Sequence, residues 1–187
     1  RFFAAPSAAL AVIGITGTNG KTTTAWLVTQ ALGKLGEPAG YMGTLGHGLG
    51  TAVRPGASTT PGCITLHRQL RELADAGARH AVIEVSSHAL DQHRVDGVRF
   101  STVAFSNLGR DHLDYHHDLQ QYGEAKARLF RAGARTAVIN LDDSFGATLP
   151  ALLPDGTACL GVSMAGNPAA RLRGELVQIG ADGLLLE

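Results

Sequence analysis

The stretch Gly17-Thr18-Asn19-Gly20-Lys21-Thr22-Thr23 decides the fold class of this chain. It follows a short apolar run, residues 10–15, and precedes a pattern typical of a helix, residues 22–35. A strand, a glycine-rich turn, Lys-Thr and a helix in this order predict a phosphate-binding loop. The glycines let backbone N–H groups approach phosphate oxygens, and the helix N-terminus adds partial positive charge. Lys21 adds a full positive charge, and the Thr22 hydroxyl is placed to reach a magnesium ion.

The glycine spacing differs from the common P-loop pattern, which has a glycine where this chain has Ile15. Glycines occur instead at Gly14, Gly17 and Gly20. Loose glycine patterns arise by chance, so an ordinary strand–helix turn is the alternative interpretation. The flanking strand and helix favour phosphate binding.

The composition indicates a globular protein without a general affinity for polyanions. The chain has 187 residues, of which 44% are hydrophobic and 17% charged, and its formal net charge is zero. This length suffices for one sizeable α/β core. Zero net charge gives no electrostatic argument for nucleic acid or a membrane surface as a partner. No apolar run is long enough to span a bilayer, and the N-terminal residues lack the apolar region of a signal peptide, so a cytoplasmic location is expected.

Cysteine and lysine are both scarce in this chain. Cys63 and Cys159 are far apart and lack CxxC spacing, so we expect small buried side chains in a reducing compartment rather than a disulfide or a zinc site. The three lysines are Lys21, Lys34 and Lys126, against thirteen arginines. A lysine within a motif is of chemical interest because arginine cannot act as a nucleophilic amine.

Apolar, β-rich runs alternate with helical patterns along the chain. Strands are predicted at residues 10–15, 38–42, 80–85, 101–106 and 136–140. Helices are predicted at residues 22–35, 61–76, 119–132 and near 144–152. This order predicts an α/β fold with a doubly wound, mostly parallel sheet that carries the P-loop.

The second predicted helix has the clearest boundaries. Thr59 and Thr60 are predicted to cap it, Pro61 to lie in its first turn, and Gly77 to end it. The glycine-rich residues 41–58 before it are predicted to form a long functional loop that could hold a small hairpin.

After Pro154 the pattern changes to short strands, at residues 157–163, 171–179 and 184–187, with Ala181-Asp182-Gly183 as a hairpin turn. These strands predict a small β-rich C-terminal subregion. The chain stops within the last of them, which indicates a fragment of a longer protein with an incomplete subregion.

Two polar segments are predicted at the sheet edge where ligands bind in doubly wound folds. Glu84 ends a strand and is predicted to hold the metal of a nucleotide complex, with an exposed strand-end charge as the alternative. Residues 107–114 follow another strand and could ligate a metal or orient phosphates, unless their aspartates only cap the next helix. His112 is the predicted functional residue there, whereas His116 and His117 are expected to be solvated.

Lys126 lies on a predicted helix with Tyr122, Gly123, Leu129 and Phe130 three or four residues away. A lysine on such a partly apolar face is costly unless it is partnered or modified. The residues alone still favour a surface lysine that extends its amine to water. An ammonium would repel a nearby divalent metal, whereas a carbamate made with carbon dioxide would supply a negative oxygen ligand.

The run Gln92-His93-Arg94 closely follows Ser86-Ser87-His88 near the same predicted edge. Such a polar group could bind a carboxylate or phosphate of a second substrate. A solvated turn explains it equally well.

Four ordered motifs stand out in the chain as a whole. They are Gly-Ile-Thr-Gly-Thr-Asn-Gly-Lys-Thr-Thr at 14–23, Glu-Val-Ser-Ser-His at 84–88, Asn-Leu-Gly-Arg-Asp-His-Leu-Asp-Tyr-His at 107–116 and Glu-Ala-Lys-Ala-Arg-Leu-Phe at 124–130. Together they resemble the central ATPase domain of the Mur ligase family. Ser-Thr-Thr-Pro at 58–61 and the run at 85–94 are similar to the UDP-N-acetylmuramoyl-tripeptide synthetase (MurE-type) branch. The resemblance extends over nearly all of residues 1–187.

The resemblance implies an ATP-dependent amide-bond ligase of peptidoglycan synthesis, with ATP and Mg²⁺ as cofactors. In that family a carboxylate of UDP-N-acetylmuramoyl-L-alanyl-D-glutamate attacks the γ-phosphate of ATP. A diamino acid, meso-diaminopimelate or L-lysine, then captures the acyl phosphate. Family enzymes have further N- and C-terminal domains that this chain lacks, so the fragment is expected to be inactive alone.

The resemblance also implies residue roles. The phosphates would be held by Gly17, Thr18, Asn19, Gly20, Lys21, Thr22 and Thr23. The metal ligands would be Thr22, Thr23, Glu84, His112 and Lys126, the last as N6-carboxylysine. The catalytic residues would be Lys21, Glu84, His112 and Lys126. The muramoyl substrate would be bound by Thr59, Thr60, Ser86, Gln92 and Arg94.

Two alternatives remain open. Folylpolyglutamate and cyanophycin synthetases resemble the same ATPase core, and residues 58–61 and 92–94 are the segments that favour the muramoyl branch. A non-catalytic nucleotide-binding module or P-loop switch is the second alternative. The cluster of Asp111 and His112 with Lys126 argues against it, because mere binding would not require these residues.

Overall fold

The structure, a computed structural model, describes residues 3–180 and 183–186, and within them eleven strands and five α-helices. The strands of the main sheet are β1 (Ala11–Thr16), β2 (Ala39–Gly43), β3 (Gly46–Leu49), β4 (Ala52–Arg54), β5 (His80–Glu84), β6 (Phe100–Phe105), β7 (Thr136–Asn140), β8 (Ala158–Ser163) and β9 (Leu172–Arg173). A separate antiparallel pair consists of β10 (Leu176–Gly180) and β11 (Gly183–Leu186).

The main sheet has the order β4-β3-β2-β5-β1-β6-β7-β8-β9. All pairs from β2 to β9 in this order are parallel, and β3 and β4 extend the β2 edge in antiparallel fashion. The helices are α1 (Lys21–Lys34), α2 (Cys63–Asp75), α3 (Ser87–Asp91), α4 (Leu113–His116) and α5 (Leu119–Arg131). Two 3₁₀ turns, Pro6–Ala8 and Gly146–Leu152, complete the described elements.

Successive residues of the central strands belong to two different hydrophobic clusters. In β5, Ala81 and Ile83 lie in a large cluster, whereas Val82 lies in a small one. Because side chains alternate across a strand, the two clusters cover opposite faces of the sheet. The small cluster contains Ala25 of α1, and the large one contains Leu70 of α2 together with residues of α5. Helices therefore cover both faces, which confirms the doubly wound, mostly parallel α/β fold.

The main strand and helix predictions are confirmed, with boundaries within about two residues. The predicted hairpin between β2 and α2 is present as β3 and β4. The helix predicted near residues 144–152 is a 3₁₀ turn. Strands β8 and β9 join the main sheet, whereas β10 and β11 form the separate pair. Of the predicted turn Ala181-Asp182-Gly183, the first two residues lie outside the described residues.

Two local predictions are wrong. The N-cap of α2 is Gly62, which has no side-chain hydrogen bond to offer. The Thr59 hydroxyl contacts the hydroxyl of Thr44 instead, and the Thr60 hydroxyl donates to Glu84 O. The cysteines are not buried: Cys63 is half-buried in the first turn of α2, and Cys159 is exposed on β8. No helix in the described ranges has the length and apolar character that a bilayer crossing requires.

The α2 helix binds the sheet through one leucine stripe, which gives a direct stability test. Leu70 is 0% exposed, whereas Ile64 on the same helix is 77% exposed. We expect Leu70→Ala to lower the free energy of unfolding by about 2–5 kcal/mol, because it removes buried methyl groups and leaves a cavity. The matched variant Ile64→Ala should stay within about 0.5 kcal/mol. Urea unfolding measures both, and equal losses would contradict the assigned packing of α2.

Candidate active site

Three neighbouring parallel strands, β5, β1 and β6, bring three loops to one edge of the sheet. The glycine-rich residues 17–20 follow β1, Glu84 ends β5, and Asn107 lies just beyond β6. The carboxyl ends of parallel strands form the usual ligand-binding edge of such a fold. The structure therefore brings three of the four motifs together, and α5 brings the fourth.

The backbone of the glycine-rich loop permits no side chain at its first turn. Gly17 has φ 145°, and a Cβ on it would stand 1.9 Å from Ser106 Oγ. Gly20, with φ 81°, is the N-cap of α1. This conformation leaves the first N–H groups of a fourteen-residue helix directed at the loop, which is the geometry of a phosphate site.

The loop after β6 holds the glycine-rich loop in place. The Thr18 N–H donates to Asn107 O at 2.8 Å, and the Asn19 N–H donates to Asn107 Oδ1 at 3.0 Å. The Gly109 N–H donates to Thr18 Oγ1 at 2.8 Å. Residues of the loop after β6 therefore fix the conformation of the predicted phosphate-binding residues Thr18 and Asn19.

Two lysines converge on the carbonyl of Gly17. Lys21 Nζ donates to Gly17 O at 2.9 Å and to Thr18 O at 2.8 Å. Lys126 Nζ donates to Gly17 O at 2.9 Å and lies 4.2 Å from the centre of the Tyr122 ring. Burial lowers the pKa of Lys21, and burial together with the charge of Lys21 lowers the pKa of Lys126 to about 7. Lys126 is 1% exposed, so the interpretation as a surface lysine is wrong.

Glu84 is fully buried, and its carboxylate is satisfied by hydrogen bonds. It accepts hydrogen bonds from Thr22 Oγ1 at 2.8 Å, from the Thr44 N–H at 2.9 Å and from the Tyr41 hydroxyl. Burial and the hydrogen bond to Glu84 raise the pKa of Tyr41. The alternative of an exposed strand-end charge is therefore wrong. Tyr41 and Thr44 were not predicted, although the position of β2 next to β5 was the signal that could have identified them.

The paired oxygens of Thr22 and Glu84 suit a magnesium ion. Mg²⁺ prefers oxygen ligands and is usually held by one or two carboxylates together with substrate phosphates. A hydroxyl and a carboxylate oxygen 2.8 Å apart, next to the phosphate-binding helix end, match that preference. Thr23 is exposed in the same turn of α1, and its predicted role as a metal ligand stays a prediction.

His112 and Lys126 both lie against the ring of Tyr122. The half-exposed ring of His112 packs against His88, with 4.8 Å between ring centroids. Its centroid lies 6.2 Å from that of Tyr122, and Lys126 Nζ lies over the same Tyr122 ring. In residues 3–180 and 183–186 no three or more His, Cys, Asp or Glu side chains are grouped to hold a metal. The metal-binding roles of His112 and Lys126 stay predictions.

The two remaining histidines of this loop differ. His117 is exposed, as predicted, but His116 is only 4% exposed, and the prediction that it is solvated is wrong. Its Nε2 lies 2.9 Å from Ser87 Oγ. Burial and the neighbouring His88 lower the pKa of His116, because both disfavour a second positive charge there.

The predicted substrate residues lie next to Glu84. Thr60 Oγ1 donates to Glu84 O at 2.7 Å and accepts from the Ser86 N–H at 3.1 Å. Ser86 Oγ caps the short helix α3, and this helix was not predicted from the sequence. Thr59 Oγ1 lies 3.0 Å from Thr44 Oγ1.

Gln92 and Arg94 extend this network. Arg94 donates to Thr60 O at 3.0 Å and, through Nε, to Gln92 Oε1 at 3.0 Å. Gln92 Nε2 donates to the Tyr115 hydroxyl at 3.1 Å. Thr60, Ser86 and Arg94 thus share a hydrogen-bond network with the Glu84 backbone carbonyl, and Gln92 joins it through Arg94. Gln92 is exposed in a turn, so substrate binding by this run stays a prediction beside the alternative of a solvated turn.

A parallel sheet with these loops at its carboxyl edge defines a nucleotide-binding domain of the P-loop class. A family profile described as the Mur ligase middle domain matches residues 15–175. The chain belongs to the Mur ligase family, which confirms the resemblance.

Curated relatives are similar over almost the whole chain. The UDP-N-acetylmuramoyl-L-alanyl-D-glutamate--2,6-diaminopimelate ligase of Xanthomonas campestris pv. campestris is 52% identical over 184 residues, which are 98% of this chain and 37% of that protein. The ligase of the same name from Alkalilimnicola ehrlichii is 49% identical over 187 residues, which are 100% of this chain and 38% of that protein. The chain thus spans little more than a third of their length.

Solved structures agree with this assignment. The structure of a UDP-N-acetylmuramoyl-L-alanyl-D-glutamate--2,6-diaminopimelate ligase superposes with a TM-score of 0.84 at 34% identity, covering 95% of this chain and 38% of that one. A Mycobacterium tuberculosis folylpolyglutamate synthase complexed with ADP superposes with a TM-score of 0.74 at 18% identity, covering 99% of this chain and 48% of that one. At that identity the second likeness shows the fold alone.

Lys126 makes the stability of the domain depend on pH. Between about pH 7 and the unfolded lysine pKa of about 10.4, the unfolded chain binds a proton that the folded chain does not. Stability therefore rises with pH across this window. The quantity to compare is the unfolding free energy of wild type minus that of Lys126→Met, in carbonate-free buffer. This difference should increase by on the order of 3 kcal/mol from about pH 7 to about pH 9.5.

Lys34→Met, at the exposed end of α1, is the matched control and should show no such trend. Urea unfolding at several pH values gives the comparison. A difference between wild type and Lys126→Met that stays constant with pH would mean that Lys126 remains charged in the fold.

Proposed function

We propose that this domain binds ATP and activates a carboxylate in a ligase of peptidoglycan synthesis. The acyl substrate would be UDP-N-acetylmuramoyl-L-alanyl-D-glutamate, and the amino acid added would be 2,6-diaminopimelate, as in the names of the relatives. The observation that carries the proposal is the convergence of Lys21, Lys126 and the buried Glu84 around the glycine-rich loop. Nucleotide binding alone would not require a second buried lysine.

The reaction brings together two anions, so its main requirement is charge neutralisation and alignment. An oxygen of the substrate carboxylate attacks the γ-phosphorus, an O–P bond forms, and the bond to the bridging oxygen of ADP breaks. The amine nitrogen then attacks the acyl carbon, a C–N bond forms, phosphate leaves, and the amine loses a proton to solvent. Fixed positive charge and donors at the phosphates stabilise such a transfer.

Different residues of this chain would bind the phosphates, the metal and the muramoyl substrate. Backbone N–H groups of residues 17–23 would bind phosphate oxygens, and Lys21 would exchange its carbonyl partners for them. Thr22 and Glu84 would hold Mg²⁺, which neutralises phosphate charge when bound. Thr59, Thr60, Ser86, Gln92 and Arg94 would orient the muramoyl substrate beside Glu84.

Lys126 would act as a carbamate. Its unprotonated nitrogen attacks carbon dioxide, an N–C bond forms, and a proton leaves to water, which leaves a negative carboxylate. The change replaces the repulsion between Lys126 and Lys21 at Gly17 O by attraction. The carbamate and His112 would be the ligands of a second Mg²⁺. Burial and the lowered pKa of Lys126 support this step, because only the neutral amine reacts.

The parts of the ligase outside this domain would complete the reaction. The relatives are nearly three times as long as this chain, so we propose that residues 1–187 are the central ATP-binding domain of such an enzyme. Flanking domains would bind the uridine and the diamino acid, and the isolated domain would not ligate. ATP and a nucleotide-linked sugar are cytoplasmic substrates, which supports a cytoplasmic location.

Trapping of the acyl phosphate tests this function. The full-length protein, given ATP, Mg²⁺ and the muramoyl dipeptide without an amino acid, should convert hydroxylamine into an acyl hydroxamate and release ADP. Glu84→Gln should lower this rate by about 10²–10³-fold, because the metal loses a charged ligand. Glu175→Gln, the same change at an exposed position, should have no effect. ADP release without hydroxamate would instead support the P-loop switch.

The carbamate has a separate test that does not depend on ligation. Full-length protein with Mg²⁺, nucleotide and ¹³C-bicarbonate should show one carbamate carbon signal by NMR. That signal should vanish in Lys126→Met and persist in Lys34→Met. Its absence from the loaded wild type would overturn the modification and leave the ligase proposal standing.

A further inference from the structure

A cavity of about 220 Å³ lies between the β2–β3 turn and α2, beside the residues assigned to the substrate. We call it the β2–α2 pocket. Its polar side chains are those of His47, Ser58, Thr65 and Gln69, and the rest of its wall is mainly glycine, alanine and proline. At roughly 30 Å³ per water, it has room for about seven waters, or for a short segment of a ligand.

The polar side chains of the pocket are free of protein partners. His47 Nδ1 is buried and lacks a hydrogen-bond partner in the part of the chain that the structure describes. Over the same residues, the side chains of Ser58, Thr65 and Gln69 make no hydrogen bond to protein. Thr65 and Gln69 are half-buried, so their hydroxyl and carboxamide groups are available to a ligand in the pocket.

The uncharged side chains that line the β2–α2 pocket favour a neutral ligand. Among residues 3–180 and 183–186, no Asp, Glu, Lys or Arg lines the β2–α2 pocket. The wide cleft beside α5 differs in this respect, since Asp91, Asp118, Glu124 and Arg128 line it. Hydroxyls and a carboxamide offer both donors and acceptors, which are the partners of a group that itself has one N–H and one C=O. A secondary amide has this pattern.

The pocket adjoins the carboxylate that is proposed to hold the metal. Gly43 forms part of its wall, and a Cβ on Gly43 would stand 2.0 Å from Glu84 Oε1. Ser58, also in the wall, directly precedes Thr59, whose hydroxyl contacts that of Thr44. A substrate whose carboxylate reacts beside Glu84 can therefore extend its neighbouring atoms into the pocket.

We propose that the β2–α2 pocket is the subsite for a secondary amide of the acyl substrate, with Gln69 and Thr65 as its hydrogen-bond partners. This inference rests on the proposed function. The substrate offers three such amides, which are the acetamido group of the sugar, the amide between the muramoyl lactyl group and L-alanine, and the L-alanyl-D-glutamate peptide bond. All three present the same chemistry to the pocket.

Steady-state kinetics of the full-length protein test the subsite. Gln69→Leu keeps the size of the side chain and removes its donors and acceptor. It should raise KM for the muramoyl dipeptide about tenfold, and leave kcat and KM for ATP within about twofold. Thr65→Val, a smaller change in the same wall, should shift KM in the same direction. Gln120→Leu, on the exposed surface of α5, is the matched control.

Three substrate analogues identify the amide. The first lacks the acetyl group of the sugar, the second has an ester in place of the lactyl–alanyl amide, and the third has an ester in place of the alanyl–glutamyl amide. The analogue that lacks the bound amide should lose about tenfold in kcat/KM with wild type and no more than about twofold with Gln69→Leu, because the variant no longer makes that bond. The other two analogues should lose equally with both proteins.

Unchanged KM in Gln69→Leu and Thr65→Val, or losses with each of the three analogues that are equal for wild type and variant, would overturn the subsite while the ligase proposal stands. A wild type that forms neither hydroxamate nor product from the muramoyl dipeptide would overturn both.

Discussion

The Gly17 carbonyl is the interaction on which the site depends. It accepts hydrogen bonds from Lys21 on α1 and from Lys126 on α5, each at 2.9 Å, and so ties the glycine-rich loop to helices on both sides of the sheet. A carbonyl has two lone pairs and can accept both bonds, but two positive charges would repel each other there, and this repulsion adds to the burial that lowers the pKa of Lys126. The loop is therefore held in shape by groups whose own charges are costly there, and a polyphosphate or a negative group on Lys126 would relieve that cost.

Glu84 balances this positive charge from the other side of the loop. A buried carboxylate is tolerated only when its oxygens are hydrogen-bonded, and Thr22, Tyr41 and Thr44 meet that requirement. None of these partners is a cation, so the negative charge of Glu84 remains available to a metal. The electrostatic attraction of Glu84 also acts against the burial that lowers the pKa of Lys21. Positive and negative groups thus flank the glycine-rich loop without cancelling each other by direct contact.

The sequence predicted what is local and missed what depends on packing between distant segments. The glycine-rich loop, the parallel strands and α2 follow from periodicity and turn residues within one window, and the structure confirms them. The burial of Lys126 could not be predicted, because its partner Gly17 lies 109 residues away and only the docking of α5 brings them together. His116 was misjudged for the same reason, since Ser87 is its partner across two loops. The helices α3 and α4 have five and four residues, too few to produce a periodic signal.

The segment between β2 and α2 shows how a loop signal can hide close packing. Its glycines predicted a long functional loop that could hold a small hairpin, and two of them are required where backbone and neighbours approach closely. A Cβ on Gly43 would collide with the Glu84 carboxylate, and Gly46, at φ 122°, would place a Cβ 1.9 Å from Arg54 O. The same segment supplies Thr44, Thr59 and Thr60 to the surroundings of Glu84. Its glycines therefore permit close packing, because their missing side chains let one short stretch of backbone contact both the Glu84 carboxylate and the neutral pocket beside it.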